Sequence, residues 1–221
     1  MKLSRWFRRG VASLCAAALL CGGAAAYAAA PAPIPSPAEY ALTNAAPSDA
    51  ELKAALSKFT ITRDADGGWQ LDHPAEEASM DQKSCGLYPY MYLKDDGVSF
   101  SITLAYMGSK KLDLKKVTVT ADKDTYEFNC DDAYDGGYDT DLGCWFDLEI
   151  FPLDDDEITW LTEWLNAKKV TAVFTGQDGS TQSYTLTKAN LNAIQEMITA
   201  YNLITSSTVG QCTGVLISLA S

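Results

Sequence analysis

Phe100, Ile102, Leu104 and Tyr106 alternate with Ser99, Ser101, Thr103 and Ala105. A period of two sends successive side chains to opposite faces, so this run predicts a half-buried strand. Val117, Val119 and Ala121 alternate with Thr118 and Thr120 in the same way, and Tyr126 to Cys130 follows as a further strand. The sharpest alternation is Phe146, Leu148 and Ile150 against Asp147 and Glu149. It predicts apolar residues inward and both carboxylates outward, because a slip of one residue would bury two charges.

Turn signals join these runs into hairpins. Asp64-Ala65-Asp66-Gly67-Gly68 lies between Phe59–Arg63 and Trp69–Leu71, and Asp95-Asp96-Gly97 ends the aromatic run Leu87–Leu93. Gln177-Asp178-Gly179-Ser180 separates Val170–Thr175 from Thr181–Leu186. Glycine and Asx residues between β-rich runs are the local chemistry of tight turns. Helical spacing appears at Leu52, Ala55, Leu56 and Phe59 behind a Ser48–Glu51 capping box. It recurs at Ile158, Leu161 and Leu165, widened by Trp160 and Trp164, behind Asp154–Glu157. The acidic cluster there suits the positive end of the helix dipole. Thr187 caps a last helix with Leu191, Ile194, Ile198 and Tyr201 on one face. Val215 to Leu219 reads as a closing strand. Hairpin spacing argues for antiparallel pairing, not βαβ units. The expected fold is mainly β (α+β): an antiparallel β-sandwich with two to three helices packed at one edge.

The N-terminus has a different pattern. Lys2, Arg5, Arg8 and Arg9 precede a short apolar run, Val11 to Leu20, and Ala-x-Ala matches end at Ala28 and Ala30. That is the three-part layout of a secretory signal, and the run is short for a bilayer span. The expected organisation is a signal over residues 1–30, a Pro/Ala-rich linker over 31–47 with Pro31, Pro33, Pro35 and Pro37, and a single domain over 48–221. The localisation this implies is secreted or periplasmic, with no membrane span in the mature chain.

Composition narrows the partners. The 221 residues are 47% hydrophobic and 21% charged, which excludes a wholly disordered chain. Net charge is −12, and residues 1–30 carry four positive charges and no acid, so the mature part is four units more negative still. Such a chain is a poor partner for nucleic acid or anionic membrane surfaces. An unknown protein or glycan is the expected ligand.

Cys85, Cys130, Cys144 and Cys212 remain after the signal. An even count in an exported chain points to two disulfides, with three connectivities. Cys130–Cys144 is the favoured pair, closing a loop of roughly 15 residues, and Cys85–Cys212 would follow. No Cys-x-x-Cys or Cys/His spacing for zinc is present. Between Cys130 and Cys144 the acids crowd. Asp131, Asp135, Gly136 and Asp139 fall on EF-hand positions 1, 5, 6 and 9, with Asp141 nearby, but Ala133 and Leu142 stand where ligands are needed. These are weak calcium candidates within an acidic surface loop.

Catalytic signals are sparse. His73 is the sole histidine, in Asp72-His73-Pro74, and it reads as a solvated loop residue. No Gly-x-Ser-x-Gly, HExxH, phosphate loop or dinucleotide fingerprint occurs. Tyr88, Tyr90 and Tyr92 share one strand face and could form a stacking platform for sugar or peptide, although such rings more often serve a core. Trp145, Trp160 and Trp164 are expected inside.

Residues 112–201 also follow an order with a family likeness. Leu112–Thr120 reads as a strand, Cys130 follows, and Gly143-Cys144 enters another strand. The Ile158–Leu165 helix, Val170–Phe174 and a polar hairpin into Thr187 complete it. This resembles the invasion-associated locus B family of exported bacterial proteins, and Trp69-Gln70-Leu71 with Cys85 roughly suits its N-terminal half. The resemblance implies a β-sandwich, a Cys130–Cys144 disulfide and a non-enzymatic protein linked to host contact. The expectation is therefore an exported, disulfide-stabilised, non-catalytic envelope or host-contact binding protein without cofactor. The alternatives are a secreted hydrolase of an envelope or host polymer and a calcium-binding adhesin-like module.

Overall fold

Each of the hairpin signals above closes on an antiparallel pair. In the computed structural model, residues 46–75, 85–130 and 135–220 are described, and all fall in one compact unit, Ile34–Ser221. The expected signal segment and most of the linker lie outside the described residues. The strands are β1 (Thr60–Arg63), β2 (Trp69–Asp72), β3 (Gly86–Lys94), β4 (Gly97–Gly108), β5 (Leu114–Ala121), β6 (Asp124–Asn129), β7 (Asp135–Asp139), β8 (Cys144–Leu153), β9 (Val170–Gly176) and β10 (Thr181–Thr185). Four helices accompany them among the described residues: α1 (Asp49–Leu56), α2 (Asp155–Asn166), α3 (Lys188–Thr205) and α4 (Val209–Ala220).

Two antiparallel sheets result. The larger has the order β1-β2-β3-β4-β8-β7 and the smaller β10-β9-β5-β6. The arrangement is mainly β and sandwich-like, as the alternations predict. One apolar core joins the inner face of the larger sheet (Leu87, Met91, Phe100, Ile102, Leu104) to that of the smaller (Val117, Val119, Phe128, Ala172, Phe174). Phe128 of β6 meets Phe151 of β8 edge-on at 5.5 Å, and Phe128 also packs on Trp160 and Trp164 of α2. Trp164 is buried as expected, while Trp145 and Trp160 are half-buried.

Three helix caps form as read. Ser48–Glu51 and Asp154–Glu157 close reciprocal boxes, and Thr187 does so with Asn190. α3 crosses β3 and β4 in the middle of the larger sheet, and α4 rests on α1 and the edge strand β1.

Three expectations change. Residues 209–220 are helix, not a strand at Val215–Leu219, and Cys212, Val215 and Leu216 form its buried stripe. The segment expected as an acidic loop contains β7, which pairs with the first half of β8 from Asp135↔Leu148 to Asp139↔Cys144. β4 is buried on both faces from Phe100 to Met107, because it lies centrally between β3 and β8 and Ser101 and Thr103 are covered as well.

Candidate functional site

Chemistry-bearing side chains converge most closely around His73, which follows β2 directly. Its Nδ1 accepts the backbone N–H of Ala75 at 3.1 Å, and its Nε2 lies 2.9 Å from Glu196 Oε2 on α3. An accepting Nδ1 carries no proton, so the ring proton is on Nε2 and donates to the carboxylate. Lys58, just past α1, donates to the other Glu196 oxygen at 2.9 Å. Phe59 packs edge-on to the imidazole at 5.7 Å. Burial pushes the Glu196 carboxyl up, but the hydrogen bonds from His73 and Lys58 outweigh it and hold the group below its ordinary value. The His73 side chain is 14% exposed, so the expected solvated loop histidine is instead a joint between α1, the end of β2 and α3. Both ring nitrogens are engaged. Neither is placed to take a proton from a nucleophile, as a general base must be. Sequence reading missed Glu196 because the partner lies on a distant helix.

Among the described residues the calcium candidates do not converge. Asp131 lies outside the described residues, and Asp135 and Asp139 stand at opposite ends of β7. Asp139 is buried and spends Oδ1 on the N–H groups of Asp141 and Leu142, both at 2.8 Å, capping the turn into β8. Asp141 is exposed. Among the described residues no three His, Cys, Asp or Glu side chains are grouped to hold a metal.

Tyr88, Tyr90 and Tyr92 do share a face, but not as an open platform. Tyr88 is 2% exposed and its ring lies over Gly86, where a Cβ would come within 2.0 Å of it. Tyr92 covers Gly68 in the same manner and its hydroxyl donates to Asp64. The rings fill space left by glycines, a common repair of Gly-containing sheets. Only Tyr90 and Tyr92 are half-buried.

The four cysteines are buried, and no sulfur–sulfur bond joins them. Cys130 belongs to the inter-sheet core, whereas Cys144 sits outside that cluster on the β8 face shared with Phe146 and Leu148, opposite Asp139. Cys85 acts electrostatically on Tyr184, which bonds Asn190 in the first turn of α3 at 2.6 Å. Cys212 Sγ contacts the Ile204 carbonyl near the other end of α3 at 3.8 Å. Burial pushes both the Cys85 and Cys212 thiols up, which makes them poor nucleophiles.

Asp147 also departs from its expected outward position. It is 3% exposed, opposite Tyr106 on β4 and Gly136 on β7. Burial pushes its carboxyl up, and backbone N–H groups of Leu114 and Asp113 partly oppose this. Asp113 has φ 52°, a left-handed turn that helps curl the 109–113 segment over the carboxylate. Asp147 Oδ2 has no hydrogen-bond partner.

One aromatic pair does face solvent. Tyr138 of β7 is 52% exposed and meets Trp145 of β8 at 5.4 Å in a T-shaped contact. Gly136 and Gly137 precede it, so the strand beside the pair is bare of bulk. Among the described residues, no helix is long and apolar enough to cross a membrane.

No family model and no curated protein matches the chain. Among solved structures it is similar to "Human pre-T cell receptor crystal structure" at 18% identity. The match covers 47% of this chain and 98% of that chain at a TM-score of 0.28.

Proposed function

We propose that this chain is an exported, non-catalytic binding protein that contacts a protein or glycan of the bacterial envelope or a host surface. The observation that carries the reading is exposed Tyr138 braced by half-buried Trp145. A large ring at an exposed position, braced by a second ring, offers rigid contact area at low entropic cost. The commitment of both His73 nitrogens to Ala75 and Glu196 supports a non-catalytic role. The basic, apolar and small-residue tripartite N-terminus supports export. The order of elements over residues 112–201 and its likeness to the invasion-associated locus B family point the same way. The binding surface is thereby moved from the β3 tyrosines to the β7–β8 edge.

Co-sedimentation of the purified protein with isolated envelope fractions and with host surface material tests this. Retention by one of these, reduced at least about tenfold in Tyr138→Ala, is expected; that corresponds to ~1.4 kcal/mol of contact energy. Retention unaffected by both Tyr138→Ala and Trp145→Ala would overturn the assigned surface. Polymer hydrolysis that disappears in His73→Ala would overturn the non-catalytic reading.

A further inference from the structure

Among the described residues the two sheets end in four edge strands, and three of them carry charge. β1 contains Arg63, β6 contains Asp124 and Glu127, and β7 begins and ends with Asp135 and Asp139. Charges on an edge discourage pairing with another chain. β10 has none: Thr181-Gln182-Ser183-Tyr184-Thr185 is neutral, contains no proline, and pairs with β9 in unbroken register. All of it is exposed except half-buried Tyr184, whose hydroxyl ties the strand to Asn190 of α3.

The direction of its backbone groups follows from the ladder. Gly176 N donates to Ser180 O at 2.9 Å, and Leu186 N donates to Val170 O at 3.0 Å. Hydrogen-bonded pairs alternate along an antiparallel ladder, so Ser180, Gln182, Tyr184 and Leu186 turn their backbone groups toward β9. Thr181, Ser183 and Thr185 therefore turn theirs off the sheet. The Ser183 carbonyl accepts from its neighbour's side chain there, Gln182 Nε2 at 3.3 Å.

We propose that β10 is a self-association edge, at which a second copy of this chain pairs antiparallel about a two-fold axis at Ser183. Ser183 then faces Ser183, and Thr181 of each copy faces Thr185 of the other. All of these residues present outward N–H and C=O groups, so donors and acceptors match. Thr–Thr cross-strand pairs are favourable on such a surface. The interface is isologous, as a two-fold requires. No charge faces another across this register, because every residue from Thr181 to Thr185 is neutral. The chain as a whole carries −12, so copies repel generally, and the neutral edge is where that repulsion is least. A five-residue strand pair buries much less than the ~1,600 Å² of a standard interface, so the dimer forms only at high concentration.

Sedimentation velocity over about 10 µM to 1 mM, a range suited to a weak interface, combined with amide hydrogen exchange, tests the proposal. The expected result is a concentration-dependent rise in mass. The amides of Thr181, Ser183 and Thr185 should slow at least about threefold, while those of Gln182 and Tyr184, already bonded to β9, stay unchanged. Ser183→Lys sets like charges across the axis, and Ser183→Pro removes an outward donor without touching the β9 ladder. Both should leave the protein folded and monomeric. A monomer throughout the range with unslowed outward amides overturns the proposal, and so does association that persists in both variants.

Discussion

The Nε2–H of His73 donates to Glu196 Oε2 across 2.9 Å and joins the end of β2 to the middle of α3. Lys58 completes the contact from the α1 side. The one side chain best suited to acid–base work at neutral pH is spent on holding three elements together.

Replacing Glu196 with Ala leaves the His73 donor without its acceptor. A loss of about 1–2 kcal/mol is expected, less than the ~1.5–3 kcal/mol of a hydrogen bond to a charged group because solvent screens the one-third exposed carboxylate, read as a lower urea midpoint with unchanged slope. Because the folded-state carboxyl lies below its ordinary 4.5, its contribution is present above that value and fades as pH falls through the folded one. The advantage of the wild type over Glu196→Gln should shrink correspondingly in acid. An advantage that is constant across the titration would contradict this origin.

Asp147 has the opposite sign. Its carboxyl is raised by burial, so its contribution is fully present below the unfolded-state value and is lost as pH rises through the folded one. Asp147→Asn cannot ionise. Relative to wild type it should gain stability as pH rises from the ordinary aspartate value, 3.8, through the raised folded-state one, measured by denaturant unfolding at each pH. A flat difference would show that the carboxylate is not disfavoured by its surroundings.

Two glycines should respond in opposite directions to alanine. A Cβ on Gly176 would stand 2.3 Å from the Leu112 carbonyl oxygen, where backbone must move, and a loss of about 1–3 kcal/mol is expected. A Cβ on Gly214 in α4 meets nothing within 4 Å. Gly214→Ala should add roughly 0.5–1 kcal/mol through helix propensity. Thermal melts of the two variants side by side check both.

Cys85 and Cys212 should resist iodoacetamide in the native protein and react after unfolding without any reductant, since both are buried thiols with raised pKa. Mass spectrometry of the alkylated peptides gives the answer. A requirement for reductant would show that they are bridged.

Much of the fold was legible because it rests on local chemistry. The turn Asp95-Asp96-Gly97 predicts the β3–β4 hairpin, and Asp154 with Glu157 predicts the start of α2. The last helix was misread because Val215–Leu219 is a short apolar run, and periodicity does not separate a buried strand from a buried helix at that length. The i, i+3, i+4 spacing of Cys212, Val215 and Leu216 was the signal available. β7 was hidden by two glycines, which weaken any strand reading of Asp135–Asp139. Asp147 was placed outward by alternation alone. Its burial depends on residues 109–113 folding over it, a tertiary event with no local trace. The site was least legible of all. His73 and Glu196 are far apart in sequence.

Nitrogen-15 NMR of the imidazole reads the state of His73 directly, and a chain with one histidine gives one ring to assign. At neutral pH the account predicts a single tautomer, with the proton on Nε2 and a bare Nδ1 that accepts the Ala75 N–H. A proton on Nδ1, or a ring averaging between both tautomers, would contradict the claim that this histidine is a structural joint.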